Sequence, residues 1–188
     1  MLTIRPLDAA GLRAVYPLIE SSFPADECRP LRMMLSLMRR GLYEPLGVYA
    51  AEQLVGCALS LLPEGLPCVL LDYLAVVPDR RGQGLGGELL TLLRAWYAPR
   101  AACILIESEY PEHAPDGATA GRRLRFYERA GAVRLPQRVL LFGVDYAMLA
   151  LPTGTALPEV SWPEVMLGVY RQTLPPGFFA SQVKMLEA

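Results

Sequence analysis

The sequence has few of the residues from which metal sites and nucleophilic dyads are built. It contains one histidine and four cysteines, and no two cysteines form a C-x-x-C pair. Zinc sites need several Cys or His ligands close together, so we expect no metal. Without a clear Cys–His or Ser–His arrangement, we also expect no covalent intermediate on the protein. We predict that the cysteines are reduced and mostly buried; they are Cys28, Cys57, Cys68 and Cys103.

The chain also lacks a strong excess of charge and a long apolar run. Its 18 basic and 19 acidic residues give a formal net charge of −1. This balance provides no bulk electrostatic attraction to nucleic acid or to a membrane surface. Residues 1–16 do not combine a basic segment with an uninterrupted apolar one, and no apolar run could span a bilayer. We therefore expect a cytoplasmic protein that binds neither nucleic acid nor membranes.

The length and the apolar content are typical of one globular domain. Of the 188 residues, 53% are hydrophobic and 20% are charged, with no shift in composition along the chain. We predict a single domain over residues 1–188, in which the segment from about 155 to 188 is a C-terminal extension with a helix.

Hydrophobic periodicity predicts an α/β protein with a mixed sheet of about seven strands flanked by helices. Three of the strands form an antiparallel meander, and a second hairpin follows near the end. The predicted strands cover 2–5, two runs within 45–62, 68–77, 102–106, 133–142 and 146–151. The predicted helices follow the N-cap Asp8 and cover 31–39, 84–97, 120–130 and, after a capping box, 161–170. The tail from Pro175 is either mobile or part of an interface.

Four glycines within six residues stand between the strand from Val69 and the helix that ends at Tyr97. A glycine-rich turn that opens a helix directs backbone N–H groups at one point, where the helix dipole also favours an anion. This stretch, residues 82–87, therefore predicts a phosphate-binding turn.

Two common phosphate motifs fit this turn poorly. Gly82, Gly84 and Gly87 satisfy G-x-G-x-x-G, and Glu107 follows at the distance of the acidic residue of dinucleotide sites. That motif, however, directly follows the first strand of a βαβ unit, whereas here a meander and residues 78–81 precede it. A P-loop is excluded because Gly87 is followed by Glu-Leu instead of Lys and Ser or Thr.

A different reading of the turn, Arg81-x-x-Gly84-x-Gly86 after the sequence L-A-V-V-P, resembles a known family. The GNAT superfamily of acyl-CoA-dependent N-acyltransferases carries Q/R-x-x-G-x-G/A after a similar strand end. A second segment, residues 124–132 (LRFYERAGA), is similar to the L/F-Y-x-K/R-x-G-F/A block of that family. The order of the predicted strands also resembles the family, and about the last 35 residues lie outside the resemblance.

The resemblance implies a GNAT-like fold and a binding site for acetyl-CoA as co-substrate. In this family the strand before the turn pairs through its main chain with the pantetheine arm, and the turn holds the pyrophosphate. The implied binding residues are Leu74, Ala75, Val76, Arg81, Gly82, Gln83, Gly84, Leu85, Gly86 and Gly87.

The resemblance also implies two catalytic residues. Tyr127 matches the tyrosine near the CoA sulfur that acts as general acid, and Glu107 matches a carboxylate that deprotonates the amine. Glu109 shares the face of Glu107 because side chains alternate along a strand, so the two are not separated by sequence. Asp72, on the strand before the turn, is a third candidate for the base. Ala120 stands where many members have asparagine, which leaves the positioning of the sulfur open.

The loop FPADECRP, residues 23–30, is similar to an F-P-x-x-E-R-R-P stretch of bacterial relatives, with Cys28 in place of one arginine. Because this loop borders the acceptor site in the family, Glu27 and Arg29 are acceptor-side candidates, together with Asp72 and Glu109.

The implied function is direct transfer of an acetyl group to the primary amine of a small molecule or peptide, by a monomer or a homodimer. A non-enzymatic acyl-CoA-binding or regulatory module on the same fold is the alternative, and a nicotinamide-dependent oxidoreductase is a second rival.

Overall fold

The structure, a computed structural model, describes residues 2–187. Its strands are β1 Leu2–Pro6, β2 Tyr43–Ala50, β3 Gln53–Leu61, β4 Cys68–Val76, β5 Cys103–Glu109, β6 Val133–Leu141, β7 Val144–Pro152 and β8 Val183–Glu187. Its helices are α1 Ala9–Glu20, α2 Leu31–Arg39, α3 Leu85–Tyr97, α4 Gly117–Arg129, α5 Trp162–Thr173 and α6 Pro176–Gln182. A short 3₁₀ turn covers Pro78–Arg80.

The strands form an eight-stranded sheet in the order β1-β2-β3-β4-β5-β7-β6-β8. The pairs β1/β2, β2/β3, β5/β7, β6/β7 and β6/β8 are antiparallel, so the predicted mixed and mostly antiparallel α/β fold is confirmed. The predicted number of strands is one too low. The additional strand is β8, which pairs with β6 from Leu141↔Val183 to Gln137↔Glu187. The tail after Pro175 is thus part of the sheet.

By its internal contacts the chain divides into two compact units. The first unit contains the residues up to 62 and residues 71–93. In it, the side chain of Asp8 caps α1 by accepting a hydrogen bond from Gly11 N at 2.8 Å, as predicted. Gly41, with φ +74°, follows α2 in the left-handed conformation that commonly ends a helix. Part of the core of this unit consists of Leu2, Val48, Val55 and Leu89.

The second unit contains residues 63–70 and the residues from 94 onward. Helix α4 begins three residues earlier than predicted, because the side chain of Asp116 caps it by accepting a hydrogen bond from Thr119 N at 3.0 Å. Strand β5 is longer than predicted and includes Glu107 and Glu109. Ser161 is the N-cap residue of α5, as predicted. Its side chain makes no capping hydrogen bond, so the hydrogen bond expected of a capping box is not formed.

Candidate functional site

The glycine turn lies between the 3₁₀ turn and α3, in the first unit. Gly82 and Gly84 have φ angles of +74° and +81°, a conformation that side-chain-bearing residues rarely adopt. A Cβ added at Gly82, Gly84 or Gly87 would meet no atom within 4 Å. The backbone here therefore borders open space at the N-terminus of a helix. The N–H of Gly87 is already engaged, because it donates to Gly84 O at 3.1 Å.

Arg81, at the start of the turn, is held by two hydrogen bonds. Its Nε donates to Val76 O at 3.0 Å, and its Nη2 donates to Ser22 Oγ at 2.9 Å. The side chain of Gln83 folds back in a similar way and donates to Asp79 O at 3.1 Å. The exposed Arg81 guanidinium thus connects the turn to the end of β4 and to the residues after α1.

The end of β4 packs closely against β3. Leu74 and Val76 are half-buried and pack on the core of the first unit, whereas Ala75 is buried. A Cβ at Gly56 in β3 would lie only 2.6 Å from Ala75 O, so the close approach of the two strands requires glycine there. We did not identify Gly56 from the sequence, because a glycine inside a strand pattern does not show which backbone it approaches.

The acceptor-side candidates Glu27, Arg29 and Asp72 are brought together in the first unit. Arg29 binds the Asp72 carboxylate through Nε to Oδ2 at 3.0 Å and through Nη2 to Oδ1 at 3.2 Å. Tyr43 donates its hydroxyl to the same Oδ2 at 2.7 Å. The Tyr73 hydroxyl donates to Glu27 O and accepts from Arg29 N, both at 2.7 Å. The cluster therefore fixes the loop of residues 23–30 to β4.

Burial shapes the ionisation of this cluster. Burial acts against the charge of Arg29, but the charge and hydrogen bonds of Asp72 outweigh it and raise the pKa of the guanidinium. Burial, reinforced by the negative charge of Asp72, raises the pKa of the Tyr43 hydroxyl. Both groups thus remain protonated at neutral pH and hold the Asp72 carboxylate between them.

The second unit contains Glu107 and Glu109 on β5, and the two carboxylates have different partners. Glu107 Oε1 accepts a hydrogen bond from the hydroxyl of Tyr170 on α5 at 2.5 Å. Glu109 Oε2 lies 3.2 Å from Nη1 of Arg123 on α4. The sequence could not separate these two acids, and it gave no signal for Tyr170 beyond its apolar helical spacing.

Tyr127 lies on α4 and is 8% exposed. Burial raises the pKa of its hydroxyl, and the positive charge of Arg123 opposes this only in part. The hydroxyl therefore keeps its proton at neutral pH. Ala120, on the same helix, is fully buried, and Arg122 donates to Thr119 Oγ1 at 2.6 Å near the start of the helix.

Residues 2–187 contain neither a cluster of metal-binding side chains nor a membrane-spanning helix. Within this range no group of three or more His, Cys, Asp or Glu residues could hold a metal ion. No helix among these residues is long and apolar enough to cross a membrane.

Comparison with protein families gives a match over the centre of the chain. Residues 44–131 match the model of the acetyltransferase (GNAT) domain, a segment that includes the glycine turn, Glu107 and Tyr127. YjbC of Bacillus subtilis (strain 168), which is named provisionally as an acetyltransferase, is 32% identical over 114 residues. The alignment covers 61% of this chain and 54% of YjbC, so the chain spans about half the length of that curated relative.

Solved structures share the fold. A GNAT-family protein from Bacteroides thetaiotaomicron superposes with a TM-score of 0.71 at 17% identity, over 94% of this chain and 98% of that one. The ribosomal-protein-S18-alanine N-acetyltransferase of Escherichia coli superposes with a TM-score of 0.60 at 22% identity, over 86% of this chain and 100% of that one. A chimera of spermidine N-acetyltransferase SpeG from Vibrio cholerae and hSSAT superposes with a TM-score of 0.63 at 15% identity, over 81% of this chain and 95% of that one. At these identities the similarity is one of fold.

Proposed function

We propose that this chain, whose residues 44–131 match the acetyltransferase (GNAT) domain, is a member of the GNAT superfamily that transfers an acetyl group directly from acetyl-CoA to a primary amine. The observation that carries the proposal is the open glycine turn at the start of α3. Added Cβ atoms at Gly82, Gly84 and Gly87 would project into empty space, which suits a turn whose backbone approaches a large anion.

The turn would hold the CoA pyrophosphate. Main-chain N–H groups from Gly82 to Gly86 and the positive end of the α3 dipole favour a phosphate group there. Gly87 contributes mainly the absence of a side chain, because its N–H donates within the turn. Leu74, Ala75 and Val76 would pair with the pantetheine arm as an added strand does.

Acetyl-CoA supplies the thioester and the sulfur leaving group, while the chain supplies proton transfer. An amine attacks only when it is unprotonated, so a base must take its proton, and an acid must protonate the departing sulfur. We assign the acid to Tyr127, because burial keeps its hydroxyl protonated. We assign the base to Glu107.

The other two acids suit the base role less well. Both oxygens of Asp72 are engaged by Arg29, and one of them also accepts from Tyr43. Glu109 forms an ion pair with Arg123, which occupies one of its carboxylate oxygens. We therefore place Asp72, with Glu27 and Arg29, in the framework of the acceptor loop, and Glu109 beside the base as an acceptor-side residue.

The amine itself is proposed only as a class. The fold neighbours named above are a chimera of a spermidine N-acetyltransferase and an enzyme named for the alanine of a ribosomal protein, so the names cover a small polyamine and a protein substrate. Both classes belong in the test.

A thiol-release assay with acetyl-CoA and grouped amines tests the proposal. The groups are polyamines, free amino acids, peptides with a free N-terminus, and lysine side chains. We expect amine-dependent release of CoA with at least one group. Tight CoA binding without turnover in any group would favour the non-enzymatic acyl-CoA-binding module, and thermal stabilisation by NAD or NADP but not by CoA would favour the oxidoreductase.

A further inference from the structure

Helix α5, in the C-terminal segment, contributes a hydrogen-bond donor to the proposed base. The Tyr170 hydroxyl lies 2.5 Å from Glu107 Oε1 and 3.9 Å from Met148 Sδ. Met148 on β7 is directly opposite Glu107 on β5 in the register of the two strands. The hydroxyl therefore lies over this cross-strand pair, on the face of β5 that carries the Glu107 side chain.

The position of Tyr170 is fixed by packing. Its side chain is 2% exposed, and its helix also buries Val165, Met166 and Val169. A tyrosine has few rotatable bonds, and when its ring is held by a core its hydroxyl points in one direction. The geometry of the donor is therefore set before any substrate binds.

We infer that Tyr170 is a positioning residue for Glu107, and this inference rests on the base role proposed above. The hydroxyl holds the carboxylate in one orientation and, as a donor to the charged form, stabilises that form at neutral pH. In the reaction the proton of the amine passes to Glu107, while the O–H bond of Tyr170 stays intact. Tyr170 lies outside the matched residues 44–131, so the C-terminal segment takes part in setting up the site.

The partner of Glu109 shows why this donor matters. Glu109 Oε2 lies 3.2 Å from the Arg123 guanidinium, so its carboxylate is held in an ion pair. The donor from Tyr170 to Glu107 is a hydroxyl, which orients the carboxylate through one directional hydrogen bond. A carboxylate held in this way can accept a proton and release it again, as a general base must.

A purely structural explanation is the competing one. A buried tyrosine hydroxyl needs a partner, and Glu107 could serve only to satisfy it. Under that explanation, removal of the hydroxyl would lower stability and affect activity equally whether or not Glu107 is present. Under ours, the effect on activity depends on Glu107.

A double-mutant cycle separates the two explanations. Tyr170→Phe should lower kcat about ten-fold, with little change in the KM for acetyl-CoA, and should move the acid limb of the kcat/KM profile to higher pH. In a Glu107→Gln background the same substitution should have no further effect. Met148→Leu, which replaces the neighbour on β7 at similar volume, should leave kcat within about two-fold. Equal losses from Tyr170→Phe in both backgrounds would overturn the inference, as would wild-type kcat in Glu107→Gln.

A second readout does not depend on turnover. NMR titration of the Glu107 carboxyl carbon should give a midpoint about one pH unit higher in Tyr170→Phe than in the wild type, because a donor to the charged form is lost. Met148→Leu should not shift it. An unchanged midpoint in folded Tyr170→Phe would overturn the inference even if the protein acetylates amines. If no amine supports turnover, the proposed function fails separately and this titration still decides whether Tyr170 tunes Glu107.

Discussion

The guanidinium of Arg29 lies against the carboxylate of Asp72, 43 residues further along the chain, with Nε 3.0 Å from Oδ2. The two side chains are only 14% and 8% exposed, so this ion pair is largely withdrawn from water. It connects the loop of residues 23–30 to β4.

Asp72→Asn should therefore lower the free energy of unfolding by about 3–5 kcal/mol, because it leaves the buried charge of Arg29 without its counter-charge. Urea denaturation measures this loss. Glu52→Gln is the control, since Glu52 binds Arg5 through both oxygens but on the exposed surface, and should cause no measurable change. Equal stabilities of the two variants would contradict the structural importance of the buried pair.

Substitution of glycines in the turn tests the CoA site. Gly87→Val places a side chain in open space at a position whose φ is not positive. Gly84→Val also places a side chain in open space, but at a φ of +81°. Both variants should weaken CoA binding about ten-fold or more in calorimetry, because the branched side chain occupies the proposed position of the pyrophosphate.

Gly65→Val is the matched control for backbone strain. Gly65 has φ +69° and open space around it, but it lies in the turn between β3 and β4. This variant should keep wild-type affinity for CoA at some cost in stability. If Gly87→Val binds CoA as the wild type does, the pyrophosphate is not held by this turn.

Tyr127→Phe should lower kcat about a hundred-fold and leave the affinity for acetyl-CoA nearly unchanged, since it removes only the proposed proton donor. Because burial raises the pKa of Tyr127, the alkaline limb of the wild-type kcat profile should lie above the usual tyrosine range and should be lost in the variant. Tyr110→Phe, another aromatic of the second unit, should behave as the wild type. An unchanged kcat in Tyr127→Phe would remove it from the acid role.

Thiol labelling tests the packing around the cysteines. Burial raises the pKa of Cys57 and Cys68 to about 12 and that of Cys103 to about 11. In the native protein a thiol reagent should modify only Cys28, which is half-buried, whereas all four should react in urea. Rapid native labelling that persists in Cys28→Ser would contradict this burial.

The same raised pKa values predict a loss of stability in alkali. An unfolded thiol ionises near pH 8.5, whereas these buried thiols keep their protons to higher pH. Their stabilising contribution is therefore complete below about pH 8.5 and is lost as the pH rises toward about 11 to 12. The urea midpoint should fall progressively above about pH 9.

Local signals predicted most of the fold. Asp8 was recognised as an N-cap, and the glycines marked where chain direction changes, because these effects depend on a few adjacent residues. Strand β8 was not predicted, since five residues that pair only with a distant strand carry too short an alternation.

The sequence predicts candidate site residues but not their partners. The spacing around the glycine turn and the block near Tyr127 mark both segments as candidates. The hydrogen bond from Tyr170 to Glu107 joins residues 63 apart, and the pair of Arg123 with Glu109 depends on how α4 lies on β5. Such contacts follow from strand register and helix docking, which no local pattern specifies.

Mass spectrometry of the reaction products tests direct transfer most directly. The protein is incubated with acetyl-CoA and a primary amine that gave thiol release. The tertiary amine of the same carbon skeleton is the control. We predict that the primary amine gains one acetyl group in step with CoA release, that the tertiary amine does not react, and that the protein itself stays unmodified. An acetyl group that accumulates on the protein, or CoA release without an acetylated amine, would contradict direct transfer.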